Sequence, residues 1–109
     1  MSFFDNTDTN STYTLKQAIE DGVLVELFKN RWGQLSGGQP IVATRHLFGE
    51  VSPAGLMEIW NEFVKWQREV LSWPARFEAE RPFHTKMNGK TVWVVEEGEA
   101  FTLMYPEDY

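Results

Sequence analysis

One helix, predicted to begin at Ser52-Pro53, constrains most strongly how this chain can fold. Serine is a favoured N-cap and proline is tolerated at the first helical position, so the pair marks a helix start. From Ala54 to about Ser72, apolar side chains recur mostly at spacings of three and four, which is the helical period. The residue before Pro74 avoids helical geometry, and this ends the helix. So wide an apolar face must be buried against a second layer.

That second layer is predicted from the C-terminal part of the chain, where the hydrophobic period changes to two. Asn88-Gly89 favours a two-residue type I′ turn between strands at Phe83–Met87 and Thr91–Val95. Glu97-Gly98 predicts a second turn, followed by a third strand at Glu99–Tyr105. The sequence therefore predicts an α+β fold: one long amphipathic helix packed on an antiparallel sheet with a C-terminal three-stranded meander.

A short helix followed by a strand is predicted near the N-terminus. Thr14 can cap the helix and Gln17 is placed as its capping-box partner. Gly22 can take the left-handed conformation that ends a helix. The predicted elements are a helix from about Leu15 to Asp21 and a strand from about Val23 to Phe28.

The middle of the chain contains a loop and a second strand. Lys29–Pro40 contains three glycines and a final proline, and predicts a loop. The apolar run Ile41–Ala43 predicts a short strand. Thr44 is predicted to cap a helical turn over Arg45–Phe48. We expect a flexible N-terminal arm over residues 1–12 and a single domain over residues 13–109.

Composition excludes several classes of protein. The 109 residues contain no cysteine, which excludes disulfide scaffolds, thiolate zinc sites and cysteine nucleophiles. The N-terminus lacks the basic and apolar regions of a signal peptide, and no window approaches 18 apolar residues. A cytoplasmic protein without a membrane partner is therefore expected.

The charge is concentrated at the C-terminal end. The net charge is −6, and the segment Thr91–Tyr109 carries five acids and no Lys or Arg. Such an end argues against direct nucleic-acid binding and permits a basic partner, either a protein or a metal ion. A solvated surface that only keeps the domain soluble is the more common role of such a segment. The five acids are Glu96, Glu97, Glu99, Glu107 and Asp108.

No motif predicts catalysis, a cofactor or a metal. Leu35–Gln39 matches the signature peptide of ABC-type ATPases, but Gln39 stands where a Walker A lysine would be needed, so nucleotide binding is not expected. His46 and Glu50 have the i, i+4 spacing of a ligand pair, but a metal site without cysteine would need both histidines and such carboxylates, and His84 lies on a different element. If the chain were a small enzyme or ligand-binding protein, Arg45, His46 and Glu50 would be its clustered polar candidates.

The predicted long helix carries aromatic residues that are candidates for a partner-binding face. Trp60 and Trp66 are either core residues, as their helical spacing favours, or an interface for a partner or a second copy of the chain. Acids outnumber bases on this helix, which disfavours nucleic acid as the partner.

Three blocks of sequence resemble one family. Tyr13–Glu26, Pro40–Phe48 and Gly98–Tyr109 are similar to segments of a family of short uncharacterised bacterial proteins with a YTxKQAIEDGVLV opening, often encoded on plasmids, phages and integrated elements. Leu15 departs from the arginine that is usual there. The resemblance carries over no activity and no catalytic residues. The association with mobile elements, together with the acidic end, the aromatic helix and the absence of a catalytic motif, favours a non-enzymatic protein-binding module of a mobile genetic element. Some small acidic proteins of such elements inhibit CRISPR or restriction systems by occupying basic nucleic-acid channels.

Overall fold

The structure, a computed structural model, describes residues 14–72, 82–97 and 100–109, without the side chains of residues 71, 72 and 97. The predicted N-terminal arm and Gly98 of the predicted turn lie outside these ranges. The described part is an α+β fold in which helices cover a five-stranded sheet.

The long helix, α4, spans Pro53–Ser72 and confirms the predicted start. The Ser52 hydroxyl oxygen accepts a hydrogen bond from the Gly55 amide at 3.1 Å, which satisfies one of the free donors of the first turn. The apolar face of α4 packs on one face of the sheet. Its fully buried side chains are Leu56, Ile59, Trp60 and Phe63.

The sheet has the order β1-β2-β5-β4-β3 and is mixed rather than wholly antiparallel. The pair β2–β5 is parallel, whereas the other three pairs are antiparallel. A period-two pattern identifies a strand but not its partner, so the parallel pair was not predicted. The strands are β1 Leu24–Glu26, β2 Ile41–Thr44, β3 Phe83–Met87, β4 Lys90–Glu97 and β5 Ala100–Met104.

The predicted meander is confirmed as β3–β4–β5. Asn88 and Gly89 both have positive φ, 55° and 80°, as a type I′ turn requires. Met87 pairs with Lys90 across this turn, so the two loop residues fix the register of the hairpin. Phe83, Val92 and Val94 lie buried toward α4.

Two short helices flank β1 and β2. Helix α1, Leu15–Glu20, has the predicted capping box between Thr14 and Gln17. It covers the sheet face opposite to α4, where a second apolar cluster contains Ala18, Leu24, Val42 and Ala100. Helix α3, Arg45–Glu50, follows β2 directly and is capped by Thr44, as predicted.

The prediction of a plain loop at Lys29–Pro40 was wrong in part. Lys29–Arg31 forms a 3₁₀ turn and Trp32–Leu35 forms one turn of helix, α2. The Trp32 indole donates to the Leu27 carbonyl at 2.7 Å. Trp32 and Leu35 also pack against the core, and these anchors leave no periodic pattern in the sequence.

We predict opposite effects for alanine at two helical glycines. A Cβ at Gly55 would lie 2.7 Å from Val51 Cγ1, whereas one at Gly49 meets no atom within 4 Å. Val51 is buried and its β-branched side chain has few alternative rotamers, so it cannot easily move away from the added methyl group. Gly55→Ala should lower the free energy of unfolding by about 1–3 kcal/mol, as overpacking does. Gly49→Ala should raise it by up to about 1 kcal/mol through helix propensity.

Urea denaturation of both variants tests this prediction. In a Val51→Ala background the clash is absent, so Gly55→Ala should become neutral or stabilising. Equal effects of Gly55→Ala in the two backgrounds would show that the contact with Val51 is not the cause.

Candidate functional site

The parallel pair β2–β5 brings two distant parts of the sequence to one edge of the sheet. Ala43 lies opposite Leu103, so both strands leave the sheet on the same side. Strand β2 continues into α3, and β5 continues through Tyr105 into a 3₁₀ turn at Pro106–Asp108, here called the C-terminal turn. Strand β4 begins at this edge with Lys90, because it runs antiparallel to β5.

His46 lies between two carboxylates at this edge. Its Nδ1 is 3.3 Å from Asp108 Oδ1 and its Nε2 is 3.4 Å from Glu50 Oε2. A neutral imidazole has only one N–H, whereas an imidazolium donates from both nitrogens. The hydrogen bond with Asp108 is the main cause that raises the pKa of His46. The nearby charges of Asp108, Glu50 and Glu107 add to this effect, and partial desolvation opposes it.

Glu50 is held by two further donors. The Tyr105 hydroxyl donates to Glu50 Oε1 at 2.6 Å, and Lys90 Nζ approaches the same oxygen at 3.1 Å. These two hydrogen bonds, with that from Tyr105 the larger, lower the pKa of Glu50. Burial and then the bond to Glu50 raise the pKa of Tyr105 to about 12, so its hydroxyl keeps the proton that it donates.

Thr44 ties the C-terminal turn to the start of α3. Its hydroxyl oxygen accepts from the Leu47 amide at 3.3 Å, as an N-cap does, and its hydroxyl donates to Asp108 Oδ2 at 3.1 Å. Asp108 therefore uses one oxygen for Thr44 and the other for His46. We call the resulting set the His46 cluster; it consists of Thr44, His46, Glu50, Lys90, Tyr105 and Asp108.

Sequence reasoning found part of this cluster. It named His46 and Glu50, which meet, and Arg45, which is exposed and makes no described hydrogen bond or ion pair there. It did not connect them with Tyr105 or Asp108, because partners more than 50 residues away leave no spacing signal. In the described ranges, no group of three metal-ligating side chains is arranged to hold a metal ion.

The two tryptophans proposed for a partner face have different environments. Trp60 is only 2% exposed, and its ring centroid lies 5.3 Å from that of Phe63 and 5.2 Å from that of Phe101. It is a core residue in this structure and is not accessible to a partner. Trp66 is partly buried and packs on the rings of Phe63 and Phe83.

The described C-terminal acids lie at two ends of the β4–β5 pair. Glu96 is exposed and pairs with Phe101, while Glu107 and Asp108 lie in the C-terminal turn beyond Met104. At about 3.4 Å per residue, Phe101 and Met104 are about 10 Å apart. The side chain of Glu97 and all of Glu99 lie outside the described residues. Asp108 belongs to the His46 cluster, whereas Glu96 and Glu107 are solvated.

A shallow groove lies at the same end of the sheet as Glu96. Its volume is about 330 Å³, and one lining residue, Lys16, is a cation. The Pro40 carbonyl in its wall accepts a hydrogen bond from the Phe101 amide at 2.9 Å, and Phe101 lies opposite Glu96. Apolar and acidic side chains therefore occur together there. The other lining residues include Leu15, Ile19, Trp32, Glu20 and Glu26.

We predict that Tyr105→Phe raises the pKa of Glu50 toward its ordinary value, because it removes the largest cause of the lowering. A group with a lowered folded pKa stabilises above its unfolded pKa, and the effect fades as pH falls through the folded pKa. The stability gap between wild type and Tyr105→Phe should therefore shrink on acidification. The Glu50 carboxyl carbon, followed by NMR, gives the pKa directly.

Lys90→Met is the matched control for this prediction. It removes the second donor to the same oxygen and should shift the pKa of Glu50 in the same direction by less. A Glu50 titration that is identical in wild type and Tyr105→Phe would refute the assignment of the hydroxyl as the main cause.

Comparison of the chain with protein-family models, with curated proteins and with solved structures finds no match. None of the helices in the described ranges combines the length and apolar character that a membrane crossing requires.

Proposed function

We propose that this chain is a non-enzymatic protein-binding module, and that it binds its partner through the acidic end of the β4–β5 pair. The observation that carries the proposal is the joint occurrence there of solvated carboxylate and apolar groove. Glu96 is exposed and has no described ion-pair partner. The groove lies two strands away at the same end of the sheet, and Leu15, Ile19 and Trp32 are among the residues that line it. Interfaces combine such an apolar centre with a charged surround that steers and orients the partner.

The proposed partner is a host protein with a basic nucleic-acid channel. Glu97 and Glu99 adjoin Glu96 in sequence, so three carboxylates occur within four residues. In a strand pair, side chains are about 4.8 Å apart across the strands and about 6.8 Å apart at alternate positions of one strand. These spacings are close to the roughly 7 Å that separates phosphates along one DNA strand, whose rise is about 3.4 Å per nucleotide. A basic channel that binds phosphates would bind such a row of carboxylates.

The proposed setting is a mobile genetic element, with the protein acting in the host cytoplasm on a defence system. This part rests on the resemblance of Tyr13–Glu26 and two further blocks to proteins of plasmids, phages and integrated elements. Neither direct nucleic-acid binding nor membrane binding is part of the proposal. The burial of Trp60 weighs against the alternative, a homodimer formed through Trp60 and Trp66.

Charge reversal at the acidic end tests the function. Glu96→Lys combined with Glu97→Lys and Glu99→Lys should abolish partner capture from a bacterial lysate. The matched control reverses three exposed acids of α4, Glu58, Glu62 and Glu69, and changes the net charge equally. Because exposed charges are screened within about 8 Å at physiological ionic strength, capture by wild type should weaken as salt rises.

A competition experiment identifies the kind of partner. Double-stranded DNA should displace the captured protein, since DNA and the acidic end compete for one basic channel. Capture that survives the triple reversal with the same salt dependence would refute binding through this end. Equal loss in the α4 control would show that only net charge matters.

A further inference from the structure

We propose that His46 is a proton-dependent bridge between the end of α3 and the C-terminal turn. As an imidazolium it binds Glu50 and Asp108 together, and as a neutral ring it keeps Asp108 and releases Glu50. This inference is independent of the proposed function, because it concerns contacts within the chain at the opposite end of the sheet.

The geometry places a carboxylate at each nitrogen of one ring, as a hydrogen bond at Nδ1 and as an ion-pair contact at Nε2. Both ring nitrogens lie within 3.4 Å of a carboxylate oxygen, and the ring packs edge-on against Tyr105 with centroids 4.7 Å apart. A neutral ring has one N–H and one lone pair. The lone pair would then face a carboxylate, which is repulsive, so one of the two contacts must be lost.

The other partners of each carboxylate decide which contact is lost. Glu50 also accepts from the Tyr105 hydroxyl and from Lys90, so its charge is largely compensated. Asp108 accepts from the Thr44 hydroxyl, and Glu107 adds a second negative charge to the same turn. The remaining proton is therefore stabilised most on Nδ1, beside Asp108.

These groups define the pH window of the bridge. Since folding raises the pKa of His46, the stabilisation from its charge is complete below the unfolded pKa and is lost as pH rises through the folded pKa. On the acid side, the contact with Glu50 fades as Glu50 is protonated, and the lowered pKa of Glu50 moves this loss to lower pH. Between these limits α3, the end of β5 and the C-terminal turn are connected through one ring.

Imidazole ¹⁵N NMR of the full chain across a pH titration tests the bridge. The neutral form of His46 should carry its proton on Nδ1. Asp108→Asn and Glu50→Gln should each lower the titration midpoint of His46, with the larger shift for Asp108→Asn. Glu107→Gln, which removes a charge but no described contact to the ring, should lower it least. The His84 ring on β3 reports any general effect of a substitution.

The backbone provides a second readout. The amide resonances of Asp108 and Tyr109 and those at the end of α3 should move with the same midpoint as the His46 ring, and this movement should be absent in His46→Gln. A midpoint that responds to only one of the two acids would overturn the bridge. So would a neutral ring that carries its proton on Nε2.

Discussion

The parallel pairing of β2 with β5 is the constraint on which the rest of the structure depends. It joins Ile41 to Phe101 and Ala43 to Leu103, residues that are 60 apart in the sequence. A parallel pair needs a long connection, and α3, α4 and the β3–β4 hairpin lie within it. The pair also directs α3 and the C-terminal turn to one edge, where His46 meets Asp108. The other edge holds Glu96 and the groove.

The core explains why this small domain can carry so many aromatic residues. Trp60, Phe63 and Phe101 form mutual ring contacts with centroids between 5.2 and 5.6 Å apart, and such contacts stabilise beyond simple area burial. Trp60 therefore serves packing between α4 and the centre of the sheet.

The sequence predicted most features that depend on residues close together in the chain, and few features that depend on contacts formed by tertiary packing. The caps at Thr14, Thr44 and Ser52 were predicted because each acts on residues within three positions, and the Asn88-Gly89 turn was predicted for the same reason. The parallel pair, the Trp32 anchor and the contacts of Glu50 with Tyr105 were not. Each of these depends on tertiary packing that no periodic pattern encodes.

The exposure of the His46 cluster determines how much its charges can contribute to the stability of the fold. The side chains of His46 and Glu50 are 40% and 43% exposed, so salt and water weaken each ion pair, and such pairs add little to overall stability. Tyr105 differs because it is buried in the core while its hydroxyl reaches Glu50. The ring thus anchors an exposed network to the packed interior. A charge network of this kind contributes mainly to the local arrangement of α3 and the C-terminal turn, and that arrangement depends on the protonation of one imidazole.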